Sequence, residues 1–131
     1  MNESPRCLYE SIGGAAIVRR LVEAFYDIVE NEPAGQELML LHMRGHGIAH
    51  SRVEQFNFLC GFLGGPRLYE ERHGHASLRQ MHEHVEIDKR ARDAWLACMA
   101  VAIDRAELPP DAGAEVMHHF ERVTEILINK H

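Results

Sequence analysis

A chain of 131 residues, 46% hydrophobic and 26% charged, is long enough for one buried core and too short for two. Its formal net charge of -6 at pH 7, with no basic face to offset it, excludes a nucleic-acid partner. No apolar run reaches the roughly 18 residues of a membrane-spanning helix.

The first residues, MNESPRCLYE, lack the apolar centre of a signal peptide, and residues 1–7 read as a polar extension of a single domain spanning 1–131. Cys7, Cys60 and Cys98 are odd in number and show no CxxC spacing, so neither a disulfide framework nor a zinc ribbon is expected. Reduced thiols and a cytoplasmic location follow as expectations. The polar lead-in ends in LYESIGG, where Gly13-Gly14 marks the turn into a helix. From Ala15 to Glu30 apolar residues recur at Ile17, Leu21, Phe25 and Ile28, with Val18, Val22 and Val29 widening the stripe. That is helical period, and the helix ends before Asn31-Glu32-Pro33. Tyr26 lies at the edge of the stripe, where a tyrosine is ordinarily half-buried with its hydroxyl toward water.

Residues 33–50 are the least regular part, with Leu38, Leu40 and Leu41 giving one short helical turn. Gly45 and Gly47 break any helix here, so His42, His46 and His50 are not expected to form a helical zinc face despite their even spacing. Ser51 to Leu63 reads as a second amphipathic helix, stopped by Gly64-Gly65-Pro66. Ser51, Gln55, Phe58 and Phe62 share one stripe, and Val53, Phe56 and Leu63 share another. Two apolar sides predict a helix sandwiched between the rest of the protein and something else apolar. Gln55, an amide amid the first stripe, would ordinarily face solvent. The stretch from His75 to His82 is too short to read by period. Asp88 is well suited to cap a long helix running to about Ala106, with Ala91, Trp95, Cys98, Ala102 and Ile103 on its apolar face. Pro109-Pro110-Asp111 restarts the chain. In the last helix Val116, Phe120, Val123 and Leu127 form a stripe, with His118 and His119 at its edge. With no strand pattern or repeat, the fold class is all-α, built on four substantial helices.

The segment Gly74–Met99, GHASLRQMHEHVEIDKRARDAWLACM, resembles the group II truncated haemoglobins, whose pattern there is GHPxLRxRHxxFxI…RDxWLxCM. Two further parts agree in register: the Gly-Gly after Ser11-Ile12, and the Gly64–His75 segment against the family's GGPxxYxERHGH. The resemblance runs from about Leu8 to Asn129 and implies a two-over-two helical sandwich around a non-covalent haem b, no CxxCH being present. It implies His82 as the proximal ligand of the haem iron, a role that a rigidly held neutral imidazole serves. On the other side it implies Tyr26 of the Phe25-Tyr26-Asp27 segment, Trp95, Gln55 and Ser51. His42 fits the place of a residue closing that side and is a candidate sixth iron ligand, although the family's proline does not follow it and the loop is about two residues longer. Phe58, Phe62, Tyr69, Arg79 and Met81 complete the expected cofactor contacts. Met81 stands where the family has a propionate-pairing arginine, which leaves Arg79 as that partner. His84, two residues beyond His82, is a rival ligand.

Donors on Tyr26, Trp95 and Gln55 would stabilise partial negative charge on a diatomic ligand, and two or three of them would hold oxygen too tightly for delivery. The expected function is therefore binding of oxygen, nitric oxide and carbon monoxide, with nitric oxide dioxygenase or weak peroxidase chemistry rather than transport. A non-enzymatic gas sensor or store is the alternative from another class. Turnover implies an external reductase, since neither glycine cluster has the strand–GxGxxG–helix context of a nucleotide site. A helical zinc or non-haem iron protein is disfavoured, because Glu83 and Glu86 around His84 do not supply a di-iron motif twice. Monomer and homodimer are both compatible with the sequence.

Overall fold

The computed structural model describes residues 7–44, 47–82 and 85–130, with the side chains of Met43, Arg44 and Met81 outside the described set. All regular structure among these residues is helical: α1 (Leu8–Ile12), α2 (Ala15–Asn31), a 3-10 turn (Pro33–Gly35), α3 (Gln36–Arg44), α4 (Ile48–Phe62), α5 (Leu68–His73), α6 (Leu78–His82), α7 (Lys89–Arg105) and α8 (Pro110–Leu127).

The centre is α2. It starts where Gly13 and Gly14 adopt φ of 120° and 77°, which glycine enters without a Cβ penalty. It then buries Val18, Leu21, Val22, Phe25, Tyr26, Ile28 and Val29 along the stripe that its period predicts. Each such side chain contributes roughly 1.5–3 kcal/mol when fully covered. Helix α2 packs most extensively on α7 and α4, and α7 packs in turn on α8, so the pair α2/α4 lies against the pair α7/α8. Arg52 ties the first pair together by reaching Glu23 at 3.2 Å, Asp27 at 3.0 Å and Glu30 at 2.8 Å, three carboxylates on one face of α2. Asp88 caps α7 by accepting from the Ala91 N–H at 2.8 Å, as its position predicts. No helix among the described residues is long and apolar enough to cross a membrane.

Three features depart from the sequence reading. Residues 8–12 of the polar lead-in form α1, fastened by the Tyr9 N–H to the Leu63 carbonyl at 2.9 Å. Residues 36–44 form a nine-residue helix rather than one turn, because Leu38 is buried there while Leu40 remains 55% exposed. Helix α4 begins at Ile48 behind Gly47, and its second apolar stripe holds at Phe56 and Leu63 but not at Val53. Val53 is 46% exposed, and Asn57, Leu59 and Cys60 complete the inner surface.

The corner after α2 has no room for a side chain at Gly35, where a Cβ would fall on the backbone of Ile28 and Val29. Gly35→Ala should cost about 2–3 kcal/mol in urea unfolding. A cost below about 0.5 kcal/mol would show that the corner yields instead.

Candidate functional site

Between the two helix pairs lies a cavity of about 610 Å³, reached by side chains from α2, α3, α4, α5, α6, α7 and α8. That volume falls in the range of small-molecule and cofactor sites, about 300–1,000 Å³. Of the side chains expected from the sequence, Tyr26, His42, Ser51, Gln55, Phe58, Phe62, Tyr69, His82 and Trp95 all line it. Arg79 does not; it borders a neighbouring cavity of about 550 Å³ on which His82 also opens. His46 and His84 lie outside the described residues, as does the side chain of Met81.

Tyr26 is buried, only 2% exposed, which corrects the expectation of a hydroxyl turned to water. Its hydroxyl donates to Gln55 Oε1 at 3.2 Å and lies 3.3 Å from His42 Nε2. The His42 Nδ1–H donates to the Leu38 carbonyl one turn back at 2.7 Å, so in the neutral ring Nε2 carries the lone pair. One phenolic proton therefore faces two acceptors. Burial pushes the Tyr26 pKa above the usual tyrosine value, offset in part by the Ser51 hydroxyl and the Arg52 guanidinium, so the proton stays on at neutral pH. Burial also holds the His42 pKa below the usual histidine value, with the Leu38 carbonyl pulling partly the other way. Gln55, expected in solvent by default, is turned inward: Oε1 is occupied by Tyr26, while Nε2 is buried with no hydrogen-bond partner among the described residues. A buried donor left without an acceptor costs about 1–3 kcal/mol, and a ligand in the cavity could satisfy it.

His82 ends α6, where its Nδ1–H donates to the Leu78 carbonyl at 2.8 Å. That bond fixes the tautomer and places the lone pair on Nε2, the arrangement that metal-bound imidazoles ordinarily take. The walls are aromatic. Phe62 stacks on Phe120 at 5.7 Å and on Phe58 at 5.5 Å, while Trp95 meets Phe120 edge-on at 5.0 Å and Phe25 at 5.3 Å. An imidazole with an oriented Nε2 and aromatic walls fit a haem, which His82 would hold.

Among the titratable residues lining the cavity, sequence reasoning missed His50, Glu54, His73, His75 and Arg92. Glu54 pairs with His73, and His73 lies against the Tyr69 ring at 4.3 Å. The only signal was position, since His73 and His75 sit in the quoted glycine–histidine segment and Glu54 adjoins Gln55. Among the described residues no group of three His, Cys, Asp or Glu side chains could hold a metal ion.

Comparison with known proteins shows the family and the fold. The family model of the bacterial-like globins matches residues 7–129. A group 2 truncated haemoglobin of Bacillus subtilis, YjbI, is 32% identical over 130 residues, covering 99% of this chain and 94% of the relative. Among solved structures, the group II 2-on-2 haemoglobin of Agrobacterium tumefaciens superposes with a TM-score of 0.90 at 31% identity, each chain covering the other fully. A truncated oxygen-avid haemoglobin from Bacillus subtilis gives a TM-score of 0.81 at 31% identity, covering 95% of this chain and 100% of that one.

The depressed His42 pKa has a consequence for stability. As pH falls below 6.5 the unfolded chain takes up a proton that the folded chain still refuses, so the folded state loses stability with acidification. His42→Gln should flatten the pH dependence of unfolding between pH 6.5 and the lower folded value by up to about 1.4 kcal/mol per pH unit. Identical wild-type and variant profiles would place His42 in a solvated environment.

Proposed function

The chain belongs to the bacterial-like globins, among the group II truncated haemoglobins, and on that premise we propose a specific use for the cavity. It holds a non-covalent haem b with His82 as the protein ligand to iron, and it retains diatomic gases for chemistry upon them rather than for delivery. One observation carries this reading. The same cavity presents an imidazole whose Nδ1–H is tied to a carbonyl and a buried Gln55 amide N–H with no acceptor among the described residues.

Haem, when bound, supplies an iron centre with affinity for oxygen, nitric oxide and carbon monoxide. Everything else falls to the chain. His82 would hold the haem, and Phe58, Phe62 and Tyr69 offer it an aromatic wall. Arg79, which borders the neighbouring cavity rather than this one, would be the partner for a haem carboxylate. On the ligand side Tyr26 is a neutral donor that can aim its proton away from Gln55 Oε1, and Gln55 Nε2 and the Trp95 indole are further donors. A donor worth about 1.4 kcal/mol raises affinity about tenfold, so two or three together oppose release. His42 offers a neutral Nε2 acceptor beside Tyr26. It is therefore a proton acceptor on the ligand side.

Slow release suits nitric oxide oxidation or peroxide turnover with an external reductase in the cytoplasm. A gas store uses the same cavity, so consumption of nitric oxide under a reductant separates the two readings. The purified protein, or the chain reconstituted with haemin, should show a Soret band that shifts on dithionite reduction and again with carbon monoxide. No Soret band after adding haemin would end the haem reading. Tyr26→Phe combined with Trp95→Phe should speed oxygen release by about tenfold or more. An unchanged off-rate would remove the donor argument.

A further inference from the structure

We propose that Asn129 is a positioning residue for His82, acting through the backbone that joins α6 to α7. This rests on His82 being the residue that holds haem.

His82 lies at the end of a five-residue helix, too short to be fixed by its own hydrogen bonds. The backbone beyond it is anchored from a distant part of the chain. The Val85 N–H donates to the His82 carbonyl at 3.0 Å. Past α8, the side-chain amide of Asn129 then reads the next residues as a neighbouring strand would. Its Nδ2 donates to the Val85 carbonyl at 2.9 Å, and its Oδ1 accepts from the Ile87 N–H at 2.6 Å. The backbone N–H groups of Asn129 and Lys130 both donate to the Ile87 carbonyl, at 2.8 and 3.1 Å. Three backbone groups on either side of Glu86 are thereby satisfied from one place, and Asp88 caps α7 immediately afterwards.

The loop so held is part of the wall: Val85, Ile87 and Leu127 line the main cavity together with His82. Asn129 does not reach that cavity; it borders the neighbouring one with Val85 and Arg79. His82 opens on that neighbouring cavity too, but the hydrogen bonds of Asn129 are to Val85 and Ile87, so its hold on the wall runs through the loop. The chemistry requires this residue type. Aspartate has no donor for Val85, leucine has neither donor nor acceptor, and glutamine is a methylene too long for the same two contacts. The exposed Lys130–Glu86 pair at 3.1 Å lies beside the clamp and contributes little.

The test compares Asn129→Leu, Asn129→Asp and Lys130→Ala with wild type, using haemin loss to an apomyoglobin acceptor and vibrational spectra of the ferrous and carbon monoxide forms. It adds amide exchange of residues 85–88 in the haem-free chain. Asn129→Leu should speed both Ile87 exchange and haemin loss about tenfold. It should also shift or broaden the iron–histidine stretching band while the carbon monoxide bands, which report the Tyr26 side, stay in place. Asn129→Asp should give part of each change, and it carries the test if the leucine variant loses helix. Lys130→Ala should match wild type. An iron–histidine band unmoved by Asn129→Leu would overturn the proposal, as would equal shifts on the carbon monoxide side, which mark general loosening. A wild-type chain that takes up no haemin would overturn the haem reading and this inference with it. That outcome is recognisable because Ile87 exchange would still respond to Asn129.

Discussion

The Tyr26 hydroxyl is removed from water, and a buried hydroxyl without partners costs several kcal/mol. Much of the arrangement around the cavity follows from supplying those partners. Helix α3 must continue to His42, whose ring is aimed by the bond to Leu38, and α4 must bring Gln55 alongside. The second demand is met from outside, where Arg52 clamps α4 onto three carboxylates of α2. A polar cluster on one wall thus positions three helices. Because Gln55 spends its oxygen on Tyr26, the leftover donor follows from the same geometry.

The remaining walls are kept apart by rings rather than filled by them. Neighbouring aromatic contacts run from Tyr69 on α5 through Phe58 and Phe62 on α4 to Phe120 on α8. They continue through Trp95 on α7 to Phe25 and Tyr26 on α2, and end at His42 on α3. Offset and edge-on pairs are worth about 0.5–1.5 kcal/mol beyond the area they bury. The rings are stiff, so helices linked in this way can border an opening of about 610 Å³ without collapsing into it.

How much of this was legible in the sequence depends on the residue. The stripe of α2 and the cap at Asp88 were read directly, because period and capping are local properties. The motif register also brought nine of the expected side chains to one cavity, including His82 and Trp95. Depth was not legible. Tyr26 sits at the edge of its stripe, and only the closing of α3 and α4 over it, from 16 and 29 residues away, turns an edge into an interior. Period alone leaves Gln55 in solvent for the same reason, whereas the motif register turns it to the cavity it lines; Val53 is read as inside because no local pattern says that nothing will cover it. The role of Asn129 was invisible, since its partners are 42 and 44 residues away and an asparagine near a helix end usually signals only a turn.

Trp95 is the only tryptophan in the chain, and it stands in the cavity wall between Phe25 and Phe120. Its fluorescence therefore has a single origin. A chromophore entering the cavity and absorbing in the near ultraviolet would take that excitation energy over a short distance and darken the emission. The protein thus carries its own optical gauge of occupancy. Emission intensity counts filled cavities, and emission colour reports how much water reaches the indole in those still open.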